Sequence, residues 1–238
     1  MLDPSDWKIA NDAIEQPLLL VVVDTEEEFD WGKPFSRDQI STTAIASQSR
    51  AHTIFDKYGI KPTYVIDYPV ASQQSGYGPL KELFDGGRCQ IGAHLHPWVC
   101  PPFDEQIGNL NSYPGNLPRA LEKAKLECLT EEIGKRFGRR PTIYEAGRYG
   151  VGPNTAAILA ELGYEIDASV VPRTDFRIDE GPDFRHCGAE PYWFGDNRLL
   201  EIPLSAGFTG AFAGLGWDGW NRINTPAGRA MRLTAISS

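Results

Sequence analysis

Residues 18–31, LLLVVVDTEEEFDW, decide the fold that this sequence predicts. Residues 18–23 are six consecutive apolar residues, a run typical of a strand buried on both faces of a parallel sheet. The run ends at Asp24, and α/β folds bind their ligands at the carboxyl ends of such strands. Because side chains alternate along a strand, Asp24 and Glu26 are expected to project to the same side. Two carboxylates placed together call for a cation or a shared proton between them.

A second predicted strand end carries two histidines. Residues 89–98 read CQIGAHLHPW, and the period of two places His94 and His96 on one side. Imidazoles and carboxylates that converge at strand ends are a typical ligand set for a zinc-like divalent metal. Taken alone, the H-x-H pair is also compatible with hydrogen-bonded structural histidines, and the acidic run with a solvated loop face.

Helix and strand signals alternate along the chain, which is the βαβ pattern of a parallel sheet and places the protein in the α/β class. Residues 1–16 are predicted to form an N-terminal extension, followed by one domain over residues 17–238. Residues 73–79, which contain Gly and Ser, are predicted to be a loop. Helices are expected to end near residues 58, 84, 137 and 163, and strands to lie at residues 63–66, 89–96, 142–144, 164–171 and 199–204.

The composition excludes several functional classes. A formal net charge of −9 over 238 residues argues against a nucleic-acid partner, because phosphate binding needs clustered Lys and Arg. The sequence contains no basic amphipathic stretch, so membrane insertion is not expected. No signal peptide is evident, and the four cysteines lack paired spacing, so reduced thiols and a cytoplasmic location are expected.

Four motifs, in order and each at a predicted strand end, resemble those of the polysaccharide deacetylase family, the NodB-type carbohydrate esterases, in the subgroup with an Asp-x-Glu first motif. The resemblance covers residues 17–205 and implies a distorted (β/α) barrel of about seven strands, incomplete at its C-terminal end. It also implies removal of an acetyl group from an amino-sugar glycan through one divalent metal, usually zinc. The motifs are VVVDTEEEFDW (21–31), IGAHLHPW (91–98), YEAGRYG (144–150) and IDASVVP (166–172).

The resemblance also implies a metal centre and a base. Asp24 would be the general base, Glu26 a metal ligand, and His94 the first histidine of the metal motif. His96 would be the second histidine ligand, although this chain spaces the pair as H-x-H where the family usually has H-x-x-x-H.

Further residues are expected around this centre. Arg148 and Tyr149 would match the third motif, which lines the groove and steadies the base. Asp167 would lie near the motif that holds the catalytic groups in place. Trp31 and Trp98 are candidate sugar-stacking platforms, with simple packing as the alternative for such large aromatic side chains.

Two departures from the family pattern leave alternatives open. Glu145 stands where related sequences often have arginine, and the late Leu-x-His motif that supplies the general acid is absent. The chain is therefore a fragment, or takes its acid from elsewhere, or is inactive. Beside a glycan deacetylase, two functions stay open: a hydrolase of C–N amide bonds in small molecules, and a non-catalytic carbohydrate-binding relative.

Overall fold

One eight-stranded sheet organises the protein, whose computed structural model describes residues 7–10, 18–194 and 199–206. The strand order is β1-β7-β8-β6-β5-β4-β3-β2. The strands are β1 (Lys8–Ile9), β2 (Val22–Thr25), β3 (Thr63–Ile66), β4 (Gln90–Leu95), β5 (Ile143–Ala146), β6 (Ile166–Asp167), β7 (Tyr192–Phe194) and β8 (Leu199–Glu201).

Neighbouring strands from β2 through β6 to β8 pair in parallel, which confirms the predicted α/β class. β7 pairs antiparallel with β8, and β1 pairs antiparallel with β7. Within the described residues β1 and β2 are the two edges, so these strands form an open sheet and no closed barrel. β1 comes from the segment predicted to be an N-terminal extension.

Residues 18–23 are less buried than the sequence predicts. β2 begins only at Val22, and Leu18, Leu19 and Leu20 are 68%, 72% and 61% exposed. The expectation of a strand over residues 18–23, buried on both faces, is therefore wrong. The physical reason is the position of β2 at the edge of the described sheet, where one side of the strand has no neighbour.

In the described part of the chain, five α-helices connect the strands: α1 (His52–Tyr58), α2 (Tyr68–Ser72), α3 (Gln74–Asp85), α4 (Arg119–Phe137) and α5 (Thr155–Leu162). Gly59, Gly138 and Gly163 follow α1, α4 and α5 with φ of +65°, +77° and +83°, the left-handed conformation that ends a helix at glycine. Asp67 caps α2 by accepting a 2.8 Å hydrogen bond from the N–H of Val70.

The predicted loop at residues 73–79 is mostly helical, because α3 begins at Gln74 and includes Pro79. None of the helices in the described ranges is both long enough and apolar enough to cross a bilayer. The predicted domain boundary at residues 16–17 lies outside the described residues.

A buried lysine fixes the loop that follows β4. The Lys125 side chain in α4 is fully buried, and its Nζ donates to the carbonyls of Pro97, Cys100 and Pro102 at 2.9, 2.7 and 2.6 Å. The same Nζ lies 2.8 Å from an Oε2 of Glu105. One ammonium group thus holds the start of the long 99–117 loop, directly after the histidine strand.

Replacing Lys125 by Met should destabilise the protein by roughly 3–5 kcal/mol, because three buried carbonyls would lose their donor and Glu105 would keep only Arg37, at 3.4 Å, as its cationic partner among the described residues. Urea unfolding monitored by circular dichroism gives this change in the free energy of unfolding. Lys123→Met on the same helix is the control: its partners Glu127 and Glu161 lie at the surface, so it should change little. Equal effects of the two substitutions would contradict the buried-clamp role.

Candidate metal centre and active site

Three predicted ligand atoms converge at the carboxyl ends of β2 and β4. The Nε2 atoms of His94 and His96 are 3.2 Å apart. The Oε2 of Glu26 lies 3.5 Å from the first and 3.3 Å from the second. With Zn–N distances of about 2.0–2.1 Å, two ligands on a tetrahedral ion are separated by about 3.4 Å. The three atoms therefore fit a divalent cation of the zinc type.

The two imidazoles face each other without an intervening acceptor, so one Nε2 must carry a proton when no cation is present. Burial opposes a charge on both rings, and it acts with the neighbouring His94 to lower the pKa of His96 to about 4. On His94 burial alone would also lower the pKa, but Glu26 and Asp24 raise it. A cation would take the place of that shared proton.

A glutamate that the sequence analysis did not single out orients His96. Glu27 is buried and accepts a 2.8 Å hydrogen bond from Nδ1 of His96. It also accepts a 3.0 Å bond from Nε1 of Trp98, while its own N–H donates to Asp67 Oδ2 at 2.9 Å. A proton held on Nδ1 leaves the Nε2 lone pair facing Glu26 and His94, as in carboxylate–histidine–metal arrangements.

The two predicted platforms differ in exposure. Trp98 is 2% exposed and its ring stacks on His96 at a centroid distance of 4.2 Å. It therefore offers no free face to a sugar, and its ring packs in the interior instead of forming a sugar-stacking platform. Trp31 is 55% exposed and lines the cleft in front of His94, so its ring is accessible to a ligand.

Asp24, the predicted base, has an unexpected neighbour. It is exposed to the cleft, and its ligand atoms and those of His94 and Glu145 lie within 4.8 Å of one another. Glu145 is 1% exposed, and its burial, together with the adjacent Asp24, raises its pKa to about 10. The position at which the family resemblance leads one to expect arginine is thus a buried carboxyl group beside the predicted base.

Asp167 lies one strand further along, also buried, and pairs with a second acid. Ser169 Oγ donates to Asp167 and accepts a 2.8 Å bond from the N–H of Ala146. Glu201 in β8, which sequence reasoning missed, accepts a 3.0 Å bond from the N–H of Val170. Burial raises the pKa of both carboxyl groups, so the pair holds a proton. The pair ties together the ends of β5, β6 and β8. A glutamate inside the apolar run LLEIPL was the signal that could have found it.

Arg148 and Tyr149 line the same cleft in a strained turn. Their φ angles are +56° and +59°, a conformation that costs a non-glycine residue about 1–3 kcal/mol and concentrates at functional sites. Arg148 does not contact the base: its Nη1 donates to Asn109 Oδ1 at 2.8 Å and to Ser112 Oγ, and its guanidinium stacks 4.0 Å from the ring of Tyr113. Its place in the structure is therefore the wall of the cleft.

The cleft itself has a volume of about 280 Å³ and unites the predicted residues of three motifs. Its lining combines aromatic rings with charged and polar side chains. It is lined by Asp24, Trp31, His94, Tyr113, Arg148, Tyr149, Phe176 and Asp179.

Glu27→Gln should weaken zinc binding by about 10–100-fold, because an amide accepts a weaker bond from His96 and can also present its NH₂ group to the ring. Competition with a chromophoric chelator measures the affinity. Glu28→Gln is the matched control, since Glu28 is exposed and bonds Ser41 and Thr43 instead of a histidine. An unchanged affinity in Glu27→Gln would exclude the orienting role.

The metal-free protein should lose stability as the pH rises from 5 to 8. The buried Asp167 has a pKa above its ordinary 3.8, so the folded state binds a proton that the unfolded chain has released. That stabilisation is complete below pH 4 and is lost as the pH rises through the folded pKa. Asp167→Asn, which resembles the protonated acid, should reduce the fall in the urea midpoint.

Asp183→Asn is the control for this pH profile. The side-chain bond from Arg185 lowers the pKa of Asp183 to about 2, so its contribution changes only below pH 4. The slope between pH 5 and 8 should therefore stay as in the wild type. A slope that Asp167→Asn leaves unchanged would show that Asp167 does not carry the buried proton.

Comparison with known proteins supports the fold. No family model and no curated protein matches the sequence, but solved structures do. A candidate polysaccharide deacetylase from Mycobacterium smegmatis gives a TM-score of 0.51 at 18% identity, over 82% of this chain and 64% of that one. IcaB from Ammonifex degensii gives 0.45 at 16% identity, over 85% and 71%. PuuE allantoinase gives 0.48 at 16%, over 79% and 61%.

The chain therefore spans less than two thirds of the Mycobacterium smegmatis structure. Polysaccharide deacetylases and family 4 carbohydrate esterases are among its structural neighbours. At these identities the likeness establishes the fold, and the chemistry has to be argued from the residues of the site.

Proposed function

We propose that this protein is a metal-dependent hydrolase that removes an acetyl group from an amino-sugar-containing glycan or its precursor. The observation that carries the proposal is the triangle of Glu26, His94 and His96 ligand atoms, 3.2–3.5 Å on a side, with His94 and Asp24 lining one cleft. Hydrolytic deacetylases share the fold, which supports this assignment.

Glu26, His94 and His96 would hold the cation, most simply Zn²⁺ for a set of two imidazoles and one carboxylate. When bound, such an ion lowers the pKa of a water molecule toward roughly 7 and polarises the acyl oxygen. Asp24 is the proposed base: it is exposed to the cleft and accepts the proton of the attacking water.

The cleft walls position the substrate. Trp31 offers an exposed ring on which the apolar face of a sugar can stack. The strained turn at Tyr149 places that residue at the cleft, where its backbone N–H is the proposed donor to the oxyanion. Asp167 takes a supporting role, because its bond with Ser169 fixes the end of β5 that leads into this turn.

Asp24→Asn should lower the rate of acetate release from N-acetylglucosamine oligomers by about 10²–10⁴-fold, the range for loss of a general base. Acetate is measured with zinc-loaded protein, using Asp30→Asn as the control. Asp30 is a surface acid whose carboxylate pairs with Lys33, and its substitution should leave the rate unchanged.

A panel of small amides run beside the oligomers separates the alternatives. Release of ammonia or amine from small amides, without acetate from the oligomers, would replace the glycan substrate by a small molecule. A zinc-loaded protein that binds the oligomers and hydrolyses neither class would replace the enzyme by a carbohydrate-binding protein.

A further inference from the structure

Among the described residues, one cationic side chain lines the cleft, and it has no anionic partner there. Arg148 is half-buried, and in that part of the chain no carboxylate lies within 4.0 Å of its guanidinium. Its Nη1 donates to two neutral oxygens, Oδ1 of Asn109 and Oγ of Ser112. Its Nε and Nη2 donate to no described residue. The contacts with the loop therefore use one nitrogen of the guanidinium and leave the other two free.

Aromatic rings fix the plane of this guanidinium. Its Cζ lies 4.0 Å from the ring centroid of Tyr113, 5.5 Å from that of Phe35 and 5.9 Å from that of Trp31. A stacked guanidinium presents its N–H groups at the edge of the plane, in the fork that matches a carboxylate. Trp31 is also the exposed ring proposed to carry a sugar. An anionic group on that sugar, or on the next one, is therefore within reach of Arg148.

The positive charge of Arg148 is only partly balanced by its surroundings. Burial lowers the pKa of Arg148, and Tyr113, Asp179 and Glu180 offset this effect only in part. Oε2 of Glu180 accepts a 3.1 Å bond from Nδ2 of Asn109 instead of pairing with the guanidinium. A partly desolvated cation without a partner favours an anionic ligand. Because two acids lie nearby, a singly charged carboxylate suits the position better than a doubly charged phosphate.

We propose that Arg148 binds a carboxylate group of the substrate, which makes the substrate an acidic glycan or precursor. The inference rests on the proposed function, because it takes the acetylated sugar to lie in this cleft. The cleft volume of about 280 Å³ is small for a ligand site, so the carboxylate belongs to the acetylated sugar or to its direct neighbour. Two parallel bonds from Arg148 would also fix the orientation of that sugar relative to Asp24 and His94.

Binding of matched acidic and neutral oligosaccharides tests the proposal. A hyaluronan tetrasaccharide, in which N-acetylglucosamine alternates with an acidic sugar, is compared by calorimetry with its methyl ester. The protein is zinc-loaded and carries Asp24→Asn, so that the ligand is not consumed. The free acid should bind about 10–100-fold more tightly than the ester, the range for a charge-assisted bidentate pair.

Variants at Arg148 assign this preference to its guanidinium. Adding Arg148→Gln should bring the ratio of the two affinities to about 1, whereas Arg148→Lys, which keeps the charge without the fork, should retain part of it. Arg119→Gln is the matched control, because Arg119 pairs with Glu161 at the surface of α4 and its loss should leave the ratio unchanged. If Arg148 only supports the wall, Arg148→Gln weakens the acid and the ester equally, and the proposal is overturned.

Three further results would also overturn it. These are no measurable binding of the acid, tighter binding of a 6-phosphorylated N-acetylglucosamine tetramer than of the acid, and a preference for the acid that persists in Arg148→Gln. In the last case the cation of the metal centre would be binding the carboxylate. Acetate release by the unsubstituted protein separates this proposal from the proposed function. Acetate release without a preference for the acid would overturn the carboxylate site and leave the hydrolase. A preference that depends on Arg148, without acetate release, would support the carboxylate site and overturn the hydrolase.

Discussion

The burial of carboxyl groups at the carboxyl ends of parallel strands is the constraint on which the rest of this structure depends. Glu27, Glu145, Asp167 and Glu201 are all removed from water. A carboxylate in such a place is unstable unless it gains hydrogen-bond donors, a proton or a cation. The groups beside each buried carboxylate can be understood as the source of one of these three.

The groups that stabilise the buried carboxyl groups differ across the sheet, and this difference marks the site. At one side Glu27 is surrounded by donors from His96 and Trp98. At the other side Asp167 and Glu201 share a proton and receive bonds from Ser169 and the backbone N–H of Val170. Between them Glu145 is buried beside Asp24 and His94, and its pKa is raised to about 10, so it holds a proton next to the proposed base.

Most of the centre follows from sequence because it depends on local geometry. Parallel strands that end together, with side chains alternating, bring Glu26 to His94 and His96 without knowledge of any loop. Glu27 was not predicted because the period of two places it on the opposite side from Glu26, whereas the side chain lies beyond the end of β2 and bonds His96 and Trp98. Glu201 was not predicted as a site residue because its neighbours depend on the strand order, which places β8 beside β6.

The same difference between local geometry and tertiary context explains the errors in the predicted fold. An apolar run such as residues 18–23 predicts a strand but contains no information on whether that strand is central or at an edge. The glycines and proline near residue 79 are poor helix formers, yet α3 includes them because it packs on α4 and on the 3-10 helix Thr43–Arg50. Propensity is a weak prior wherever tertiary contacts decide.

The long 99–117 loop shows how a variable segment can still form a fixed wall of the site. Loops of this length in compact domains are typically functional or mobile. Its start is bound to the buried Nζ of Lys125, and its far end is bound by the Arg148 guanidinium through Asn109 and Tyr113. Because Arg148 sits in the strained turn after β5, the loop is tied to the same strand end that carries Glu145. The shape of the cleft and the position of Glu145 are therefore set by one piece of backbone, and a change in either is expected to move the other.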